Sequence, residues 1–531
     1  MPTLKRLSLL AVCAAALVSV PAAAQQDGHS AADQVGGENI RFLTSCAPAV
    51  RDDFNEAVAM YHSFWFPEAI KAFGAILQRD PSCALADWGI AMSQWGNPYA
   101  GIKSAEVVNR GRATIDKARG LGASTPRERD LIEALGILYS SPDPATHRDR
   151  VVRYEAAMAR LAATNSSDLE LRMLWALAIT QTALPTDKTY AELRRAADVL
   201  EPLFQQMPMH PGVAHYIIHA YDAPPLAERA LTAARRYASL APAAPHALHM
   251  PAHTFTRLGL WSESIETNRK SAEVARTTSD ANAELHALDY QTYAYLQIGR
   301  DQSARTALDR AASLAALPGA NTYALAAIPA RYALERADWA QAAALVARPA
   351  NATPYTEALT HFARAVGAVR SGHPDAASAE IARLGELRDQ LKGMDDEYWT
   401  EQVEIQRRVA AAWQTFAMGR RDEGLAQMRA AADVEDATDK ASVTPGPLAP
   451  ARELLGEMLL EAGRARDALA AFELTMKKEP NRFRGVSGAA RAAEAAGDRE
   501  KAGTYYNQLL TIAREADTNR PELMAARTFT R

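Results

Sequence analysis

The chain has 531 residues, a formal net charge of −4, 48% hydrophobic residues and 28 each of glycine and proline. That balance supplies enough apolar side chains for packed cores and excludes a disordered or collagen-like polymer. A mildly acidic chain with no long basic run is also a poor nucleic-acid binder, so no such partner is expected.

Residues 1–24 read as a signal peptide. Lys5 and Arg6 make a basic start, and Leu7 to Val20 is apolar but too short to span a bilayer comfortably. Pro21 to Ala24 then give an Ala-x-Ala cleavage pattern before Gln25. Val12, ahead of Cys13, is not the small residue that lipidation prefers. No later stretch is long and apolar enough to span, so the mature chain is expected in the periplasm or secreted, without a transmembrane segment. Losing Lys5 and Arg6 brings the charge to about −6. Cys46 and Cys83 remain, and an oxidising compartment permits a disulfide between them. The alternative is two small buried thiols.

Residues 25–51 form an N-terminal lead-in, and 52–437 read as a degenerate array of helical hairpins. Ala69, Phe73 and Pro81 mark an early copy. Residues 237–275 hold helices broken near Pro242 and by Gly259, and Gly299 is followed by Ala304, Leu308 and Ala311. Further hairpins fall at 331–345, at 363–391 with a break at Gly372-His373-Pro374, and at 407–432. The stretch 97–126 reads as irregular and able to cross a groove. Residues 438–450 are a loop, with Pro445-Gly446-Pro447 as the breaker. Glu435, Asp436 and Lys440 before it read as a solvated charge cluster, and 516–531 as a tail.

Two repeats at 451–515 carry the clearest signal. Leu455-Gly456, Ala468, Phe472 and Pro480 follow a 34-residue helix-turn-helix signature, with Gly463 at the turn. Thirty-four residues on stand Ala490, Ala502 and Tyr506, with Gly497 at the turn. Small residues recur where helices touch, and a large one where it fills the space between repeats. No run of alternating β-branched residues competes. The fold class is therefore all-α, a tetratricopeptide-like helical-hairpin solenoid. Most of the chain resembles the tetratricopeptide-repeat superfamily. The strings HPGVAHYIIHAYD, HALHMPAHTFTRLGLW and VTPGPLAPARELLGEMLLE resemble a group of exported bacterial members. The resemblance implies a right-handed superhelix whose concave groove is lined by the first helix of each repeat.

Six of the 12 histidines lie between His210 and His253. His215, His219 and Asp222 share one helical face, as do His246, His249 and His253. His215 to His249 and His219 to His253 are each one 34-residue repeat apart, which places them on equivalent faces of neighbouring helices. Packed helices lie 8–10 Å apart, so these imidazoles can meet at one ion. Aligning Gly259 with Gly299 puts Asp289 level with His249, and Tyr293 level with His253. Arg331 falls one step beyond, while Trp88, Met92 and Trp95 come to the groove further up, with His62 near them; Trp88 and Trp95 can be ligand-stacking platforms, and repeat packing explains them equally well.

Three readings follow. The imidazoles can bond carbonyls and carboxylates to keep repeats in register, with His210 or His249 capping helix starts beside Pro211 and Pro251. They can bind a metal, or they can line a metal-free ligand site. The metal set is His215, His219, His249 and His253, with Asp222 as a fourth ligand or an orienting acceptor, and His246 less firmly placed because Gly212 stands 34 residues before it. Imidazoles suit zinc, copper, iron or nickel. Four protein ligands would mark a structural site, and three plus water a catalytic one. No HExxH, GxSxG, phosphate loop or dinucleotide loop occurs. The leading expectation is a scaffold holding a protein, peptide or small ligand in its groove. The alternative is a metal-dependent hydrolase or oxidoreductase.

Overall fold

A computed structural model describes residues 34–347 and 353–531; the expected signal peptide lies outside them. The described residues form antiparallel helix pairs and contain no strand. Three large apolar cores follow one another, drawing on residues 35–178, 64–255 and 323–526. This serial arrangement is what stacking of amphipathic hairpins produces, since each hairpin buries its apolar face only against its neighbours.

The last repeats show why residue size recurs. Ala451–Glu461 pairs with Ala465–Lys478, and Phe483–Ala495 with Arg499–Ile512. Gly463 and Gly497 close the turns with φ of 75° and 80°, the left-handed region that a side chain disfavours. The Phe472 ring is wedged between two helices. A Cβ at Gly456 or Gly488 would come within 2.8 Å or 2.4 Å of it.

Cys46 and Cys83 form a disulfide, with Cα atoms 4.8 Å apart, tying the segment before Arg51–His62 to the start of Ala84–Trp95. Two expectations are corrected. The stretch thought irregular holds a regular helix, Ala105–Leu121, started by the Ser104 hydroxyl accepting from Val107 N–H. The tail contains Pro521–Phe529, which buries Leu523 and Ala526. Of the two readings of Trp88 and Trp95, packing has the support of their burial: they are 3% and 5% exposed inside the first core.

The array bends back on itself. The Trp261 indole donates to the Asn481 carbonyl at 2.8 Å, Phe483 N–H donates to the Gln297 side chain at 3.0 Å, and Arg520 pairs with Asp301. Inside this closure runs the 438–450 loop. Prolines 445 and 447 prevent it from forming its own backbone ladder, so its carbonyls need outside donors. Arg331 supplies them, reaching Gly446 O at 2.8 Å and Pro447 O at 3.1 Å while paired with Asp289 at 2.9 Å. Tyr290 donates to Thr444 O at 3.1 Å. Asp289 and Arg331, expected to face a ligand, thus hold the chain's own loop. The charge cluster before the loop is not solvated either. Glu435 is buried and accepts from Ala451 N–H at 2.6 Å, and the Lys440 side chain is 4% exposed.

Arg482 locks the closure. Its guanidinium meets Glu453 at 3.0 Å, Glu335 at 2.7 Å and the Tyr293 hydroxyl at 2.8 Å, with the three charged side chains at most 1% exposed. Glu453 is thus a buried ion-pair partner as well as a residue at a helix start. Arg482→Met leaves two carboxylates buried without their cation. A loss of about 3–5 kcal/mol is expected, read as a lower urea midpoint with unchanged far-UV circular dichroism before the transition.

Candidate metal centre

The histidines sit on three short helices and one long one: Pro211–Ala220, Pro245–His249, Pro251–Arg257 and Ala281–Gln297. Prolines at helix starts fix the first turns, where no intrahelical donor is needed. His210 caps the first of these helices, its Nδ1 accepting from Gly212 N–H at 3.1 Å.

The side chains converge as two triads. His215, His219 and His246 form one, and His249, His253 and His286 the other. Within each, the ligating atoms lie inside 4.8 Å of one another. The four imidazoles expected around one ion are therefore divided between two sets, each completed by a third ring. His246 belongs to the first set, and His286 is the residue that sequence reasoning passed over. The offset that aligns Gly259 with Gly299 also aligns His246 with His286, and that signal was available. Tyr293 is turned away toward Arg482. Its neighbour Tyr290 stands beside the second triad, with its ring 4.6 Å from that of His249.

Hydrogen bonds on the far side of the rings set the tautomers. His215 Nδ1–H donates to the His62 carbonyl at 2.6 Å. His249 Nδ1–H donates to Asn268 Oδ1 at 2.7 Å, and the Asn268 amide is oriented by its own donation to Ser264 O at 2.7 Å. His253 Nδ1–H donates to Asp222 Oδ2 at 2.9 Å, and Arg257 holds the other carboxylate oxygen at 2.8 Å. Asp222 therefore orients a ring. With their protons on Nδ1, these three rings turn unprotonated Nε2 atoms inward. His249 Nε2 and His253 Nε2 stand 3.1 Å apart, lone pair against lone pair. Tyr290 does not relieve them, because its one proton has a carbonyl acceptor at 3.1 Å and His253 Nε2 is 3.5 Å away. His219 Nε2 and His246 Nε2 lie 3.1 Å and 3.2 Å from His215 Nε2, and a neutral ring with its proton on Nε2 can donate across one of these contacts.

The opposition of His249 and His253 is relieved by a shared cation or an added proton, and the surroundings disfavour the proton. Burial first, then neighbouring imidazoles, push His215, His219, His246 and His249 well below the ordinary histidine range. Burial brings His286 down to about 3, and it lowers His253 despite Asp222. Aromatic rings wall the site. Tyr99 stacks on His219 at 4.1 Å, Tyr237 on His215 at 5.1 Å, and the Phe64 ring lies 4.4 Å from that of His215. Phe64 has φ of 52°, an uncommon conformation for a bulky residue, and its ring also touches His219 and His246.

Two other clusters are satisfied without an ion. His62 Nε2 and His210 Nε2 bracket the Glu170 carboxylate at 3.1 Å and 2.9 Å. Gly212 leaves room for the His62 ring, since a Cβ there would come within 2.8 Å of it. This network places the carbonyl that orients His215. Near Asp80, both cysteines are in the disulfide, and the carboxylate accepts from Ala47 N–H at 2.7 Å.

No described protein family matches the chain, and neither does any curated sequence. Among solved structures, the Cut9–Hcn1 complex of the APC/C aligns at 12% identity and a TM-score of 0.36, over 90% of this chain and 89% of that one. Human IFIT1 bound to PPP-AAAA gives 11% and 0.36, over 90% and 94%. Yeast Tom70 gives 11% and 0.27, over 90% and 87%. These are loose similarities between helical chains.

The depressed histidines carry a pH consequence. The unfolded chain takes up protons near the ordinary histidine value of about 6.5, whereas the folded cluster resists them. Stability conferred by the fold is therefore lost as pH falls below that value. In chelator-treated protein, ¹⁵N-histidine NMR is expected to show the cluster rings neutral down to the onset of acid unfolding.

Proposed function

We propose that this protein binds transition-metal ions through the two imidazole triads and uses them on a small ligand. The observation that carries this reading is the pair of Nε2 lone pairs of His249 and His253 facing each other at 3.1 Å with no proton to share. Neutral imidazoles oriented by oxygen acceptors on their far nitrogens are the arrangement that metal-binding histidines adopt. Copper, zinc, nickel and iron suit an all-imidazole set, and calcium or magnesium does not.

Three imidazoles per ion leave a coordination position open, which supports a catalytic use over a purely structural one. The rival reading, a scaffold that holds a peptide along an open groove, has less support, because the 438–450 loop fills the region around Asp289 and Arg331. A smaller cleft is lined by Tyr323, Trp399, Lys440 and Glu479. Lys440 reaches from it to within 3.7 Å of Asp222, so the cleft supports access by a small molecule. The disulfide is consistent with the oxidising, exported setting anticipated from the N-terminus. Among the described residues, no helix is long and apolar enough to cross a membrane.

Untagged protein, loaded with copper or zinc and desalted, is expected to retain at least one equivalent per chain by elemental analysis. The double variant His215→Ala, His249→Ala is expected to lose most of it while keeping its helicity. Wild-type content below about 0.1 equivalent after reconstitution would overturn the proposal.

A further inference from the structure

The two triads lie side by side, with rings of one next to rings of the other. Inside the first, ring centroids are 4.8 Å apart for His215 and His219 and 5.0 Å for His215 and His246. Inside the second they are 5.0 Å for His249 and His253 and 4.3 Å for His249 and His286. Across the boundary, His219 lies 6.0 Å from His253, and His246 lies 6.1 Å from His249. Two rings of each triad are thus neighbours of rings in the other. An ion bound by one triad, at the usual metal–nitrogen distance of about 2.0–2.1 Å, would have an ion bound by the other as its neighbour.

We propose that the two triads form one binuclear copper site, whose ions share a single small oxygen-donor anion held opposite Lys440. This rests on the metal-binding reading above. Copper is favoured because six neutral nitrogen donors with no carboxylate among them suit it, and Cu(II) binds such donors most tightly among divalent first-row ions. The bridge arises from water: coordination lowers its pKa, one proton leaves to solvent, and the hydroxide oxygen binds both ions.

Lys440 is the independent observation pointing to an anion. Its side chain is 4% exposed, yet its ammonium has no hydrogen-bond acceptor, and its nearest carboxylate oxygen, on Asp222, is 3.7 Å away. A buried ammonium with three unmet donors is costly. The Asp222 oxygen it approaches is also the one that accepts from His253 Nδ1 at 2.9 Å, which places the ammonium one carboxylate away from the second triad. Hydroxide shared by the ions, or another small anion replacing it, would offer that ammonium an acceptor. The groups facing Lys440 include the anion Asp222, the cation Arg257, and the anions Asp439 and Glu479.

Electron paramagnetic resonance of the full chain loaded with Cu(II) tests this. Each isolated Cu(II) carries one unpaired electron, and a shared hydroxide pairs the two spins. Wild type is expected to bind two copper ions per chain while giving an integrated signal far below its copper content. His286→Ala removes one arm of the second triad and is expected to bind one copper with full intensity, so the signal rises as the metal falls. Should His286→Ala lose helicity, His286→Gln takes its place. Two coppers with full two-spin intensity in wild type, or a single copper, would overturn the binuclear site and leave the metal-binding reading standing. No copper at all would overturn the copper site, and no zinc either would overturn the metal-binding reading with it. Azide, as a probe anion on the wild-type copper protein, addresses Lys440. Lys440→Met is expected to keep two coppers but to need about tenfold more azide for the same spectral change, as loss of one charged contact predicts. Unchanged azide affinity would overturn the role given to Lys440.

Discussion

The placement of three N–H protons governs the cluster. His215, His249 and His253 each give their Nδ1 proton to an oxygen that the fold has fixed: the His62 carbonyl, the Asn268 amide oxygen and the Asp222 carboxylate. Each of those oxygens is itself held. Glu170 fixes the His62 ring, Ser264 O orients the Asn268 amide, and Arg257 grips Asp222. The inward nitrogens are consequently left as lone pairs in a region with little water. Such an arrangement is unfavourable by itself and favourable around a cation. Buried polar atoms ordinarily satisfy one another; here the satisfaction is arranged on the outer side only.

The rest of the architecture keeps that region closed. A stack of hairpins would leave one concave face open, but the C-terminal hairpins fold back onto the middle ones through Trp261, Gln297 and Asp301. The 438–450 loop then occupies the interior. Its carbonyls are held by Arg331 and Tyr290, and Lys440 is delivered to the edge of the histidines. The groove that a repeat protein usually offers to a partner is here largely used by its own chain, which favours a small ligand over an extended peptide.

Much of this was legible from residue spacing, with particular exceptions. The 34-residue offset between His215 and His249 follows from a repeating helix pair, so their approach could be read from numbers alone. His286 is hidden from the 34-residue spacing because the local repeat lengthens after Gly259, which sets it 40 residues from His246. Trp88 and Trp95 stand open between two readings in the sequence because a large aromatic at a repeat position serves packing as readily as ligand stacking; both are buried in the first core. The helix Ala105–Leu121 was hidden by the glycines and prolines flanking it, although Ser104 marks its start.

Helical periodicity, small residues at fixed offsets and paired histidine faces are local properties, and the sequence by itself determined the hairpin array, the Cys46–Cys83 candidate pair and the concentration of imidazoles. What only the tertiary structure decided was which groups meet across long separations. Lys440 reaches Asp222, Arg331 receives residues 444–447, and Arg482 gathers Glu335 and Glu453. The physical reason is that a small bend per hairpin accumulates along a solenoid, so whether its ends return to its middle depends on every packing contact between them rather than on any one stretch of chain.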